Sequence, residues 1–151
     1  MEYSKLYSSI EKLKEETNPK WGRMNSSMML KHCSAFVDVY LNKTKLKPFI
    51  FLVGFVFGIF HRLYLKYIVR YNVKNYIKNL PTLKVFDTYK CENIDFEFEK
   101  NKLINDLKEV ESINNKYLFN NFHGIVPNEA FKNVVYFHTS YHLYQFDVYK
   151  T

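Results

Sequence analysis

The chain has 151 residues, of which 47% are hydrophobic and 19% aromatic, enough apolar side chain for one folded core, which excludes a disordered or fibrous protein. Its 22 lysine and arginine residues exceed its 15 acidic residues, giving a net charge of +7. Only three of these cations are arginines, the residue best suited to phosphate and base recognition, so the surplus does not predict specific nucleic-acid binding. We expect a single globular domain over residues 1–151.

The N-terminal residues and the cysteines bear on the compartment. The first residues are charged and polar, with no apolar stretch and no cleavage site, so a secretory signal is not expected. Cys33 and Cys91 are far apart and match no paired metal or redox motif, so both are expected to be reduced. These features favour a cytoplasmic protein.

Two amphipathic helices are predicted in the first part of the chain. Apolar residues recur at helical spacing within residues 1–16, and Pro19 ends that pattern. Asn25 is a good N-cap residue for a second helix, which is predicted to run to about Leu41.

The third helix is predicted from an apolar run. Residues 49–60 read FIFLVGFVFGIF, without a charge, but a membrane-spanning helix needs about 20 such residues. We interpret the run as a buried helix that begins at Pro48, becomes amphipathic toward Val69 and continues irregularly to Ile77. The Gly54 and Gly58 spacing would allow close helix approach in lipid, and the flanking cations would suit a helix lying on an anionic membrane, but both are the less favoured alternatives. Because apolar helices of bundle proteins often pair, a homodimer is also an expectation.

The remaining segments complete a helical pattern. Residues 85–91 alternate only weakly and are interpreted as an extended connection without a partner strand. A charged surface helix is predicted from Asp95 to Ile113, and a last helix with Pro127 in its first turn is predicted to run to about Phe146. Five helical segments without a strand pattern predict an all-α helical bundle.

Three histidines are candidate metal ligands. His138 and His142 are four residues apart in the last helix, on an apolar face, so both imidazoles can reach one ion. This pair alone favours the alternative of neutral core histidines hydrogen-bonded to tyrosines such as Tyr136 or Tyr144. His32 also lies on an apolar helix face, and three inward imidazoles would leave a coordination position open, as catalytic zinc sites do.

Several stretches carry a family resemblance. They read WGRMN and MLKHC at residues 21–25 and 29–33, KNLPT at 78–82, and HTSYHLYQF at 138–146. Together they resemble the DinB/YfiT-like superfamily, in particular a poorly characterised branch of about this length. The loop at residues 120–124 departs from the pattern, since it reads NNFHG where relatives often show HPFFG.

The resemblance implies both a fold and a site. The fold would be a four-helix bundle with an additional short N-terminal or connecting helix. The family's metal triad has one histidine on the second helix and two on the last, and these positions are His32, His138 and His142 here. The implied cofactor is a divalent metal ion such as Zn, Ni or Fe.

The function hypothesis follows from this triad. We expect a metal-dependent hydrolase or thiol S-transferase, in which water or a low-molecular-weight thiol is activated against a small-molecule electrophile. The glutamate of a His-Glu-x-x-His peptidase is missing, because residue 139 is a threonine, so peptidase activity is not expected. Tyr141 is a candidate hydrogen-bond donor, and Gln145 is a candidate for orienting a ligand. The alternative is a non-catalytic bundle that binds a small ligand or a membrane surface, with a structural or empty histidine site.

Three further candidate ligands are excluded at this point. Cys33 lies about 100° around the helix from His32 and is expected to be a small buried hydrophobic residue. Surface or capping roles are expected for His61 and His123.

Overall fold

The computed structural model describes residues 2–120 and 123–151, and within residues 48–57 it describes the side chains of 49, 52 and 56 only. In these ranges the chain forms five α-helices, a short π-helical segment and two 3-10 turns. The α-helices are α1 (Tyr3–Lys12), α2 (Ser26–Tyr40), α3 (Pro48–Leu63), α4 (Phe96–Ser112) and α5 (Asn128–Gln145). The π-helix is Tyr64–Val69, and the 3-10 turns are Val73–Asn75 and Lys84–Phe86.

Side-chain caps fix the beginnings of two helices. The Asn25 side chain accepts a hydrogen bond of 2.8 Å from the backbone N–H of Met28, and Asp95 accepts one of 2.9 Å from that of Phe98. Each cap satisfies a backbone donor that has no partner inside its helix. The predicted bounds of α2, α4 and α5 are confirmed to within one or two residues. Pro127, predicted in the first turn of α5, takes the N-cap position instead. Helix α1 ends earlier than predicted, because Leu13 already has extended backbone angles.

The hydrophobic core lies between four of the helices. Helix α2 packs against α4 and α5, and α1 packs against the same two helices. The side chains that are completely buried there include Leu6, Leu30, Leu103, Leu107 and Leu143. The 3-10 turn Lys84–Phe86 also contacts α2, which brings an irregular connection to the core next to His32.

A small sheet makes the all-α prediction wrong in one respect. Strands β1 (Tyr117–Asn120) and β2 (Gly124–Pro127) pair antiparallel, with Asn120 opposite Gly124. The Asn120 amide donates a 2.8 Å hydrogen bond to the carbonyl of Tyr40 in α2, and its oxygen accepts one of 2.9 Å from the backbone N–H of His123. Strands of four residues give too little alternation to be recognised between turn-forming asparagines and glycine.

The prediction that α3 is buried is wrong for most of its described side chains. Its described side chains include several large apolar groups that are exposed to solvent: Phe49 at 75%, Leu52 at 63%, Val56 at 47%, Phe60 at 64% and Leu63 at 48%. The buried Gly58 lies on the opposite side, and a Cβ atom there would collide with the imidazole of His123. Among the residues that the structure describes, no helix combines the length and apolarity needed to cross a bilayer.

Candidate metal centre

The three predicted ligands come together between two helices. His32 projects from α2, while His138 and His142 project from α5. Their candidate ligand atoms all lie within 4.8 Å of one another, and the Nε2 atoms of His32 and His138 are 3.2 Å apart. Two nitrogens bound tetrahedrally to one zinc ion at about 2.0–2.1 Å would be separated by about 3.3 Å. The three histidines therefore lie close enough to hold one metal ion.

His32 is oriented by a backbone carbonyl. Its Nδ1–H donates a 2.7 Å hydrogen bond to the carbonyl of Phe86, at the end of the 3-10 turn. Because a carbonyl only accepts, this bond assigns the proton to Nδ1 and leaves the lone pair on Nε2. That nitrogen is the one that faces His138.

His142 is oriented through a relay of two hydrogen bonds. The side-chain oxygen of Gln145 accepts a 2.9 Å hydrogen bond from Nδ1–H of His142, and the Gln145 amide donates one of 2.6 Å to the carbonyl of Trp21. The second bond fixes which way the Gln145 amide points, so the first again leaves the lone pair on Nε2. Metal-binding histidines are commonly held by such partners. Gln145 therefore contacts one of the three candidate ligands, and its role in orienting a bound ligand stays a prediction.

The neighbouring glycine makes room for this relay. Gly22 has a φ of +86°, a conformation that side chains rarely adopt. A Cβ atom on Gly22 would also lie 2.7 Å from the amide nitrogen of Gln145. Both observations explain why the Trp21-Gly22 turn carries glycine.

His138 is held by stacking. Its ring lies parallel to that of Phe36, with centroids 3.8 Å apart and an interplanar angle of 9°. Its Nδ1 is buried, and within residues 2–120 and 123–151 it has no hydrogen-bond partner. Hydrogen bonds at Nδ1 thus leave the Nε2 lone pairs of His32 and His142 free, whereas His138 is positioned by packing.

Burial keeps the three imidazoles neutral. It lowers the pKa of His142 to about 3, and the neighbouring His32 lowers it further. It lowers the pKa of His138 well below its ordinary value, and the neighbouring His142 and His32 lower it further. The pKa of His32 is also lowered by burial, although the hydrogen bond to Phe86 opposes the shift. Neutral imidazoles have the free lone pair that a metal ion requires.

The triad lies in the wall of a cavity of about 930 Å³. This volume is at the upper end of the range for small-molecule sites. Aromatic and apolar side chains form much of the wall, including those of Trp21, Leu80, Phe86, Phe137 and Tyr141. No aspartate or glutamate is among the described residues that line the cavity.

The expected surface role is wrong for His123, which is buried. The surface or capping role expected for His61 leaves out its place in the cavity wall. His123 is only 1% exposed and hydrogen-bonds to the hydroxyl of Tyr40, with 3.0 Å between Nδ1 and the oxygen. His61 lines the cavity, and its Nε2 lies 3.3 Å from the Tyr76 hydroxyl. Neither residue belongs to the cluster of candidate ligands, which agrees with their exclusion from the triad.

Two further expectations concern neighbours of the triad. Tyr141 lines the cavity and packs edge-on against His142, while its hydroxyl donates a 3.3 Å hydrogen bond to the carbonyl of Ile77. Cys33 is buried beside Met29, and burial raises the pKa of its thiol. The expectation that Cys33 is a small buried residue outside the ligand cluster is confirmed.

Sequence reasoning missed His61 and its partner Tyr76 as residues of the cavity wall. His61 follows the apolar run of α3, and no motif around it distinguishes a cavity-lining histidine from a surface one. Its place in the wall depends on the rotation of α3 about its axis, which the helical periodicity of an almost uniformly apolar segment does not determine.

We compared the chain with known protein families, with curated proteins and with solved structures, and none of the three comparisons gives a match. The functional argument therefore depends on the geometry of the site.

Proposed function

We propose that the protein is a metal-dependent enzyme of the DinB/YfiT-like type, a hydrolase or thiol S-transferase that acts on a small-molecule electrophile. His32, His138 and His142 would hold a divalent ion such as Zn, Ni or Fe. The observation that carries this proposal is the convergence of three neutral imidazoles in the wall of a cavity large enough for a small substrate.

The number of ligands favours a catalytic over a structural ion. Structural zinc sites are generally closed by four protein side chains, whereas catalytic sites use three and leave a position for water or substrate. Among the described residues, the candidate cluster contains three ligating side chains. Its position in the cavity wall would give a small molecule access to the open coordination position.

The electrostatics of the cavity suit nucleophile activation. When bound, a divalent ion would act as a Lewis acid and lower the pKa of coordinated water or thiol. The wall supplies no carboxylate among its described residues, so the protein would not neutralise the positive charge of the site. An anionic nucleophile is therefore stabilised there relative to its protonated form.

His61 and Tyr76 are suited to handle the proton that activation releases. Burial lowers the pKa of His61, which keeps its imidazole neutral at physiological pH with a ring lone pair, and makes it a weaker base than a solvated imidazole. The adjacent Tyr76 hydroxyl is in hydrogen-bond contact with the His61 ring and lines the same cavity. We assign this pair the role of proton acceptor and relay in the proposed reaction.

The first test is metal content. Purified, tag-free protein is reconstituted with Zn, Ni or Fe, and metal per chain is measured for the wild type, for His138→Ala with His142→Ala, and for His61→Gln. We expect near-stoichiometric metal in the wild type and in His61→Gln, and loss of metal in the double variant. Absence of metal from the wild type after reconstitution would refute the proposal and favour the alternative of a non-catalytic bundle.

Two further measurements separate folding from chemistry. Circular dichroism establishes whether the double variant keeps its helices, and the visible spectrum of the Co²⁺-loaded wild type reports the number and type of ligands. The loaded protein is then assayed with esters and with low-molecular-weight thiols plus alkylating electrophiles. Turnover that requires metal and falls at least about tenfold in His61→Gln is expected. Bound metal without turnover across both reaction classes would indicate a structural site.

A further inference from the structure

The positive charge of the protein is concentrated in one third of the chain. Residues 39–86 contain nine of its 22 lysine and arginine residues and none of its 15 acidic residues. The rest of the chain is slightly acidic, with 13 basic and 15 acidic residues. The entire net charge of +7 therefore originates in this segment.

The same segment carries most of the exposed apolar surface. Of the sixteen large hydrophobic side chains that are exposed among the described residues, eleven lie between residues 49 and 83. In α3 and the following π-helix they include Phe49, Leu52, Val56, Ile59, Phe60, Leu63, Tyr67 and Ile68. We call these eight residues the apolar face of α3. Soluble monomers rarely expose an apolar stretch of this length without a partner.

The exposed apolar residues of α3 lie along one side of the helix. Leu52, Val56, Ile59 and Leu63 recur at spacings of three and four residues, so they lie along one side of α3. The opposite side is turned toward the protein, since Gly58 abuts His123 and Leu65 is completely buried. The helix thus contacts the protein at Gly58 and presents these four apolar side chains to solvent.

Cations lie at both ends of this face. Exposed Lys45 and Lys47 precede α3, and exposed Lys66 and Arg70 follow it. Within the described residues, Lys43 is the only cation of the segment that forms an ion pair with a carboxylate, to Asp106 and Glu109. An apolar helix flanked by cations is complementary to a bilayer surface with anionic headgroups.

From this placement we infer that the apolar face of α3 docks on the surface of an anionic lipid bilayer, with the helix lying in the interface. At sixteen residues α3 is shorter than the roughly 20 needed to span a bilayer. A second copy of the chain is the less suitable occupant, because a symmetric interface through this face would bring two equally cationic segments together. This inference does not depend on the metal centre.

Vesicle flotation tests the inference on the full-length protein. Vesicles of phosphatidylcholine alone are compared with vesicles that contain phosphatidylcholine and phosphatidylserine in equal amounts. The wild type is expected to float with the anionic vesicles, and flotation is expected to decrease with salt because charges near the surface are screened. Failure to float with either vesicle would overturn the inference.

Matched variants locate the contact. Phe49→Ser with Phe60→Ser is compared with Phe98→Ser and Ile125→Ser, which remove residues of similar exposure from α4 and β2. Lys45→Gln, Lys47→Gln and Lys66→Gln together are compared with Lys12→Gln, Lys14→Gln and Lys90→Gln, all exposed lysines. The Phe49 and Phe60 variant and the Lys45, Lys47 and Lys66 variant are each expected to lower partitioning onto vesicles more than about tenfold. Their matched control variants are expected to leave partitioning near that of the wild type.

Two results would contradict this outcome. Equal losses in the matched variants would show that partitioning reflects general charge or hydrophobicity. A dimer in analytical ultracentrifugation that dissociates on Phe49→Ser with Phe60→Ser, in a protein that does not float, would assign the face to a second copy instead. Circular dichroism of every variant verifies that the helices are retained.

Discussion

Gln145 connects the candidate metal centre to the turn between α1 and α2. It accepts a hydrogen bond from His142 and donates one to the carbonyl of Trp21, while Gly22 leaves the space in which its amide lies. The orientation of a ligand in α5 therefore depends on a turn more than a hundred residues earlier in the chain. Such outer contacts raise metal affinity by fixing the tautomer and rotation of the ligand.

Replacing Gln145 with alanine is expected to weaken metal binding about 10- to 100-fold, because Nδ1 of His142 loses its acceptor. Competition with a chromophoric chelator measures the dissociation constant. Gln145→Glu, which retains an acceptor for the same imidazole, should preserve most of the affinity. An unchanged dissociation constant in Gln145→Ala would show that the relay does not support the site.

At the scale of elements, one described contact between α3 and the rest of the domain is at Gly58. Gly58 abuts His123 in the connection between β1 and β2, and His123 in turn contacts the hydroxyl of Tyr40 in α2. The hairpin is tied to the same helix through Asn120. The position of α3, and with it His61 in the cavity wall, thus depends on the small sheet.

Gly58→Ala is expected to lower the free energy of unfolding by about 1–3 kcal/mol, because the new methyl group collides with the buried imidazole of His123. Urea denaturation followed by circular dichroism measures the change. Val56→Ala, at a position 47% exposed on the other side of α3, should change stability by no more than about 0.5 kcal/mol. Similar values for the two variants would argue against close packing at Gly58.

For the whole molecule, buried neutral histidines couple stability to pH. Burial, the positive charge of Arg62 and the neighbouring His61 lower the pKa of His123 from 6.5 to about 3. As pH falls below 6.5 the unfolded chain binds a proton at this position, whereas the folded protein does not until about pH 3. Stability is therefore lost as pH decreases through this interval, with a slope that approaches about 1.4 kcal/mol per pH unit for one group.

His123→Gln is expected to reduce this slope. Urea denaturation at several pH values between 7 and 4.5, with excess chelator to keep the triad metal-free, should show a weaker pH dependence than the wild type by up to about 1.4 kcal/mol per unit. Tyr40→Phe removes the hydrogen bond to His123 but keeps its imidazole, so it should retain the wild-type slope. Parallel pH profiles for wild type and His123→Gln would contradict the assignment.

Much of the architecture could be predicted from local pattern. The apolar spacing of α2, α4 and α5 and the side-chain caps of α2 and α4 specify these helices closely, because capping and burial of one helix face act within a few turns. The inward direction of His138 and His142 follows from the same periodicity. His32 also lies on the helix face predicted for it, so all three candidate ligands could be identified from the amino-acid sequence.

The amino-acid sequence by itself determined the helices and the candidate ligands; only the tertiary structure decided how they are used. The convergence of His32 with the pair on α5 requires the packing of α2 on α5, and the hydrogen bonds to Phe86 and Gln145 join residues distant in sequence. The exposure of α3 could not be predicted, because an almost uniformly apolar helix satisfies a buried site and a membrane surface equally well. Long-range packing decides which of these environments surrounds the helix, and local periodicity does not show which one it is.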